Sequence, residues 1–326
     1  MKICVCGGAG YIGSHCVKML IKRGYSVVVV DNLSTGHLEA IDPQTKVYIG
    51  DIRDRSFISG VFQEESVDAV IHFCAKSLVG ESMNDPLAYF DNNVTGTLHL
   101  LQEMVAHNVK KIIFSSSAAV YGQQEHMPLT EESPTIPTNP YGETKLAMEK
   151  MMKWADDAHQ LKYVSLRYFN VAGAYHTGDI GEDHHPETHL IPIVLQTVLG
   201  KRAYLQVFGN DYQTPDGTCV RDYIHVEDLI EAHILALEYL LQGHDSNIFN
   251  LGSEQGYSVM EVIKSCERVT GISVLYQMGL RRLGDPDQLI ASSRKIEKIL
   301  GWKPRMDLDE MIRTAYVFHK SHIDGY

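Results

Sequence analysis

A tyrosine and a lysine stand four positions apart in the segment NPYGETK, residues 139–145. On a helix that spacing puts the phenol of Tyr141 and the ammonium of Lys145 on one face. A phenol titrates near 10, so holding it near neutrality as a proton acceptor needs about 4 kcal/mol of preference for phenolate. An ammonium at about 4 Å supplies about 1 kcal/mol in water and about 4 kcal/mol at an effective dielectric of 20. The pair therefore serves as a base in a partly dry cleft, helped by a second cation. The alternative is a surface helix with an aromatic ring and a solvated cation, and the pair alone does not decide. Upstream, Ser115, Ser116 and Ser117 close an apolar run. Alternation along a strand sends Ser115 and Ser117 to one side and Ser116 to the other. A hydroxyl there can bond a substrate oxygen whose proton moves, or it can satisfy backbone groups where a loop begins.

The second cation has a source in the first residues. GGAGYIG, residues 7–13, carries the spacings Gly8-x-Gly10-x-x-Gly13 and Gly7-x-x-Gly10-x-x-Gly13 between a short apolar run and a helical pattern. Such a loop turns sharply and lets a pyrophosphate reach a helix N-terminus. Asp31 follows the second apolar run, at the distance expected of a carboxylate that accepts the adenosine ribose hydroxyls. It would repel a 2′-phosphate, and DNLSTGH (31–37) holds no arginine to reverse this, so the expected cofactor is NAD rather than NADP. Asp51, after the third run, reads as an adenine contact or as a turn-capping aspartate.

The elements that must hold these groups follow from periodicity. Apolar, β-branched segments at 2–6, 26–30, 46–50, 67–75, 110–117 and 163–171 read as strands, and most are separated by stretches of helical period. Strands apolar on both faces and alternating with helices predict an α/β chain with a doubly wound parallel sheet. The expected division is a dinucleotide-binding domain over 1–170 and a smaller, mixed α/β domain over 171–326. Segment 222–252 again reads as helix plus strand and is expected to pack back on the first domain.

Composition narrows the partners. The 326 residues carry a formal charge of −12, with no basic run, which argues against nucleic acid and membrane surfaces. No apolar run reaches the roughly 20 residues that span a bilayer. Six cysteines with no CxxC pair read as reduced thiols in a cytoplasmic protein. Asp183, His184, His185, Glu187 and His189 crowd one loop; it reads as solvated or substrate-lining, and no metal is assigned. His319 and His322 are expected to face solvent. Methionine-bearing apolar stripes at 93–107 and 143–158 read as core, or as two helices that pair with a second copy in a homodimer.

Taken together, the glycine loop, Asp31, the three serines and Tyr141-x-x-x-Lys145 resemble the extended short-chain dehydrogenase/reductases, and within them the UDP-glucose 4-epimerase family. GGAGYIGSH, DNLSTG, VGES, DNNVTGTLHLL, SSSAAVYG, PYGETK, LRYFNVAGA, FGNDYQTPDGTCVRDYIHVEDL, NLGS and RRLGDP are similar to that family's blocks, in order and over nearly the full length. The resemblance implies inversion at C4 of a UDP-linked hexose, UDP-glucose to UDP-galactose and back, through a 4-keto intermediate and tightly bound NAD. It implies Tyr141 as base, Lys145 as its partner and holder of the nicotinamide ribose, and Ser117 as aid to the proton shift. Around NAD it implies Gly7, Gly10, Tyr11, Ile12, Gly13, Asp31, Asn32, Leu33, Ser34, Thr35, Gly36, Asp51, Ile52, Phe73, Ala75, Lys76, Ser77, Asn92 and Phe169. Toward the nucleotide sugar it implies Asn170, His189, Leu190, Phe208, Arg221, Arg282 and Asp285, besides Ser117 and Tyr141. The family pattern has a lysine where Ser77 stands, one place after Lys76, and often an asparagine where His189 stands; Leu289 falls where side-chain size varies near the sugar's C2 group. Other UDP-sugars (an N-acetylhexosamine or a uronic acid), a nucleotide-sugar dehydrogenase and a non-catalytic NAD sensor stay open. A dehydratase does not fit, because Ala118 and Ala119 beside Ser117 cannot move a proton.

Overall fold

A computed structural model of the chain describes residues 1–282 and 285–326; Leu283 and Gly284, within the RRLGDP block, lie outside the described residues. The strands are β1 (Lys2–Cys6), β2 (Ser26–Asp31), β3 (Lys46–Ile49), β4 (Ala69–His72), β5 (Lys111–Ser115), β6 (Lys162–Tyr168), β7 (Asn170–Ala172), β8 (Leu205–Phe208), β9 (Val220–Arg221), β10 (Tyr223–His225), β11 (Asn247–Leu251), β12 (Tyr257–Ser258), β13 (Tyr276–Gly279) and β14 (Gln288–Leu289). The helices are α1 (Tyr11–Lys22), α2 (Arg55–Glu64), α3 (Val79–Asn84), α4 (Pro86–Tyr89), α5 (Gly96–Ala106), α6 (Pro140–His159), α7 (Leu190–Val198), α8 (Val226–Leu241), α9 (Val259–Thr270), α10 (Arg294–Leu300) and α11 (Leu308–Ser321).

Seven strands form one sheet in the order β11-β6-β5-β4-β1-β2-β3, and every neighbouring pair is parallel. Strict alternation explains why both faces are apolar. In β1, Ile3 and Val5 face one core with α1 and α8, while Cys4 and Cys6 face the other with α2, α5 and α6. Each fully buried Val, Leu or Ile contributes about 1.5–3 kcal/mol, so the sheet is held from both sides. The strand order reverses between β1 and β4. Their carboxyl ends open there into a crevice, the place where such folds bind ligands.

Two predicted elements end differently. The segment read as one strand over 163–171 is two: β6 stops at Tyr168, and β7 leaves the main sheet to pair with β10. The helical stretch around 93–107 begins earlier, at Pro86, and passes through a π-helical turn at Phe90–Thr95 before α5. A third apolar core gathers α7, α9 and α11 against β8, with Ile191, Leu195, Val207, Val262, Met311 and Ile312 buried. His319 and His322 do not simply face solvent. Both are half-buried, and His322 stacks on Phe318 with ring centres 4.5 Å apart. Among the described residues no helix is long and apolar enough to cross a membrane.

Candidate active site

A cleft of about 2050 Å³ runs from the β1–α1 loop to the residues around Arg282. Single ligand pockets occupy about 300–1,000 Å³, so this one has room for a dinucleotide and a second ligand. It is lined by Gly7, Gly10, Tyr11, Ile12, Gly13, Asp31, Asn32, Ser34, Thr35, Asp51, Ile52, Phe73, Ala75, Lys76, Ser77, Asn92, Ser117, Tyr141, Lys145, Phe169, Asn170, His189, Leu190, Phe208, Arg221, Arg282, Asp285 and Leu289. Two residues expected around the cofactor do not line it. Leu33 packs on the main core, and Gly36 lies on the Ala9 backbone, where a Cβ would stand 2.8 Å from Ala9 C.

The glycine loop fits a pyrophosphate on geometric grounds. Gly7 has φ +81°, and a Cβ on Gly13 would sit 1.9 Å from the Gly7 carbonyl oxygen, so the loop closes only with glycine at both places. Gly10 caps α1 with no side-chain acceptor and no acidic residue in the first turn. The first-turn N–H donors are thus left for an anion. Asp31 anchors the far side. Its Oδ2 accepts the Ala9 N–H at 2.9 Å and its Oδ1 the Leu33 N–H at 2.8 Å, leaving lone pairs toward the cleft. Asp51 does cap its turn, accepting the Arg53 N–H at 2.8 Å, and it also binds the Asn32 amide at 3.0 Å. The Arg53 guanidinium holds the Asp51 carboxyl down at about 2. Arg53 was absent from the sequence reading. It lines the cleft, but Asp51 and Asp91 both pair with it, so its charge is already taken.

At the carboxyl end of β5 the three serines part as alternation requires. Ser117 Oγ accepts the Ala119 N–H at 3.1 Å, so it caps the following turn, and it lines the cleft together with Tyr141. Ser115 bonds the Tyr168 hydroxyl. Ser116 points away and donates to Glu149 at 2.6 Å. Tyr141 opens α6, where Pro140 presets the first turn and Asn139 accepts the Gly142 N–H at 2.9 Å. One helical turn on, Lys145 is 3% exposed and donates to the Ser115 carbonyl at 2.8 Å. Its ammonium lies 5.9 Å from the Tyr141 ring centre and 4.9 Å from that of Phe114.

The electrostatics bear on the expected need for a second cation. Burial raises the Tyr141 phenol above its ordinary value, and the Ser117 hydroxyl pulls the other way. Burial brings the Lys145 ammonium down to about 7. Burial thus works against the charge on both members of the pair, so a positive charge from outside it is needed to favour phenolate.

Two buried polar groups that periodicity did not single out hold this floor. Asn93, in the π-helical turn, accepts the Lys76 N–H at 2.8 Å and donates to Thr144 of α6 at 2.9 Å. The Lys76 ammonium turns to Glu81, 3.2 Å away. Glu149 grips Arg167 of β6 with two bonds, 2.9 and 2.6 Å. A polar pair inside an apolar helical run was the available signal for both.

The opposite wall comes from the elements around the third core. Arg221 pairs with Asp285, which also accepts the Tyr212 hydroxyl at 2.9 Å. Arg282 stacks 4.2 Å over the Phe208 ring. Asn170 donates to the Asp222 carbonyl at 3.0 Å, and the fully buried Asp222 carboxylate gathers Ser253 and the Ala291 N–H. His189 precedes α7, where Glu182 binds it; burial would lower its pKa, but Glu182 and Glu187 lift it to about 9. Glu182 was not among the residues expected in that loop, yet it is the buried centre of it.

A family model described as the NAD dependent epimerase/dehydratase family matches residues 3–252. A UDP-glucose 4-epimerase of Lacticaseibacillus casei is 56% identical over 327 residues, covering 100% of this chain and 99% of the relative. A crystal structure of UDP-glucose 4-epimerase from Brucella ovis in complex with NAD is 46% identical, covers 97% of each chain and superposes with a TM-score of 0.95. Another, from Bifidobacterium longum in complex with NAD+ and UDP, is 41% identical over 100% of both chains, with a TM-score of 0.94. With the glycine loop, the acid after β2 and the tyrosine–lysine helix all facing one cleft, the chain belongs to the NAD dependent epimerase/dehydratase family.

Proposed function

We propose that this chain interconverts UDP-glucose and UDP-galactose by inverting C4 of the sugar, with NAD held throughout. The observation that carries the reading is the placement of Tyr141 and Ser117 at the floor of a cleft whose far wall carries Arg221 and Arg282. Tyr141 takes the proton of the sugar's 4-hydroxyl and returns it, and Ser117 passes or steadies that proton. NAD, when bound, supplies a reversible hydride acceptor and a positive charge that favours phenolate. The glycine loop, α1 and Asp31 hold its diphosphate and ribose, and Lys145 holds the nicotinamide ribose. Arg221 and Arg282 hold the substrate diphosphate, which gives an anion local donors on a chain of net charge −12. The 4-keto sugar turns about that anchored diphosphate and presents its other face, a motion for which the cleft has volume.

The reaction is redox-neutral. The test is to incubate the purified protein with UDP-galactose and no added NAD. UDP-glucose with no net NADH is the expected result. Accumulating NADH would make it a dehydrogenase, and retained NAD with no turnover of UDP-galactose or UDP-N-acetylgalactosamine would leave a sensor. The same reading takes the chain as a homodimer paired through α5 and α6, whose Leu98 and Trp154 are exposed. Light scattering should then give twice 36.6 kDa. Its six free thiols support a cytoplasmic setting.

A further inference from the structure

Glu182, His184, Glu187 and His189 each offer one ligand atom, and these four atoms lie within 4.8 Å of one another. We propose that they form a binding site for a divalent transition-metal ion, zinc above all, in the wall of the cleft. Two imidazole nitrogens and two carboxylate oxygens are a donor set that suits zinc. Ligand bonds of about 2.1 Å place tetrahedral ligand atoms about 3.4 Å apart. His184 Nδ1 lies 3.1 Å from Glu182 Oε1, near that separation, while His189 Nδ1 bonds the same oxygen more closely, so an entering ion would have to part His189 from Glu182.

The loop is organised before any ion arrives. Glu187 Oε1 accepts the N–H groups of Thr188 and His189 at 2.7 and 2.8 Å, which fixes the carboxylate and leaves Oε2. Glu182 is 3% exposed, and the edge of Tyr11 meets the His184 ring at 6.3 Å. Among the described residues no lysine or arginine pairs with either carboxylate. The charge that now faces them is the imidazolium of His189, so a dication would bind by taking the place of that ring's proton. His189 immediately precedes α7, so the ion would clasp loop 182–189 to that helix. The site shares His189 with the residues expected to face the nucleotide sugar, and its test reads metal binding rather than turnover.

The test uses the NAD-bound protein, treated with chelator and titrated with zinc chloride by calorimetry, then with cobalt(II) by visible absorption. One equivalent should bind in the micromolar range or tighter. At 100 times Kd it should raise the melting temperature by about 4 °C. Glu182→Gln and His184→Gln should each weaken binding at least tenfold, whereas His185→Gln should not. If Glu182→Gln fails to fold, His184→Gln decides, since that ring is partly exposed. No saturable one-equivalent binding, unchanged affinity in His184→Gln, or a cobalt spectrum with thiolate charge-transfer bands would each overturn the proposal.

Discussion

Glu149→Gln probes the pair beneath the catalytic helix. Glu149 and Arg167 are each 4% exposed. The carboxylate takes two bonds from the guanidinium and one from Ser116. Burial works against the Arg167 charge, and Glu149 more than offsets it. Neutralising Glu149 leaves a buried cation whose remaining side-chain partner is the Tyr121 hydroxyl at 2.9 Å. Breaking one side of such a pair costs about 3–5 kcal/mol. Unfolding entropy of about 2.1 cal/mol/K per residue gives about 0.7 kcal/mol/K for a chain of this length, so the melting temperature should fall by about 4–7 °C. Scanning calorimetry of the NAD-bound protein measures it. The companion variant Glu149→Gln/Arg167→Met removes the stranded charge and should recover most of the loss. A fall below 1 °C in the single variant would refute the reasoning. So would a double variant as unstable as the two single changes added together.

Tyr141→Phe should lower turnover at least about 10³-fold, while nucleotide released by acid from the purified protein stays at one equivalent. Lys145→Met tests a pH dependence whose sign is fixed. The folded pKa of about 7 lies below the unfolded value near 10.4. The unfolded chain therefore binds the extra proton between those values, and this group makes stability rise with pH from about 7 to 10. The variant should flatten that rise in melting temperature and stop turnover. Gly13→Ala places a methyl against the Gly7 carbonyl and should yield protein that carries no nucleotide by the same acid-release assay.

The cofactor half was legible because its signals are local. A glycine loop, an acid at a strand end, alternating serines and a four-residue helical spacing each fix a geometry within a few residues. What the sequence concealed depends on distant pairing. Leu33 and Gly36 belong to a loop whose lining residues alternate with packing ones, and composition does not say which is which. Phe169 reads as part of one strand until β10 is seen to claim the residues after it. Glu182 looks like any loop acid until burial makes it the centre of two histidines. The sequence shares the phenol's acidification between Lys145 and a second cation, but it does not show that burial works against the charge on both groups of the pair.

The route of the backbone has a consequence for how this enzyme could be divided or recombined. The polypeptide leaves the main sheet after Tyr168, contributes β7, β8, β9 and β10 elsewhere, then returns through α8 and lays β11 along β6. A fragment cut at the first crossing would lose its outermost strand and bare Val164, Leu166 and the surface that Leu229, Ile230 and Leu237 cover. Sugar recognition therefore cannot be swapped as a terminal cassette. Any chimera must exchange internal segments and keep the returning strand.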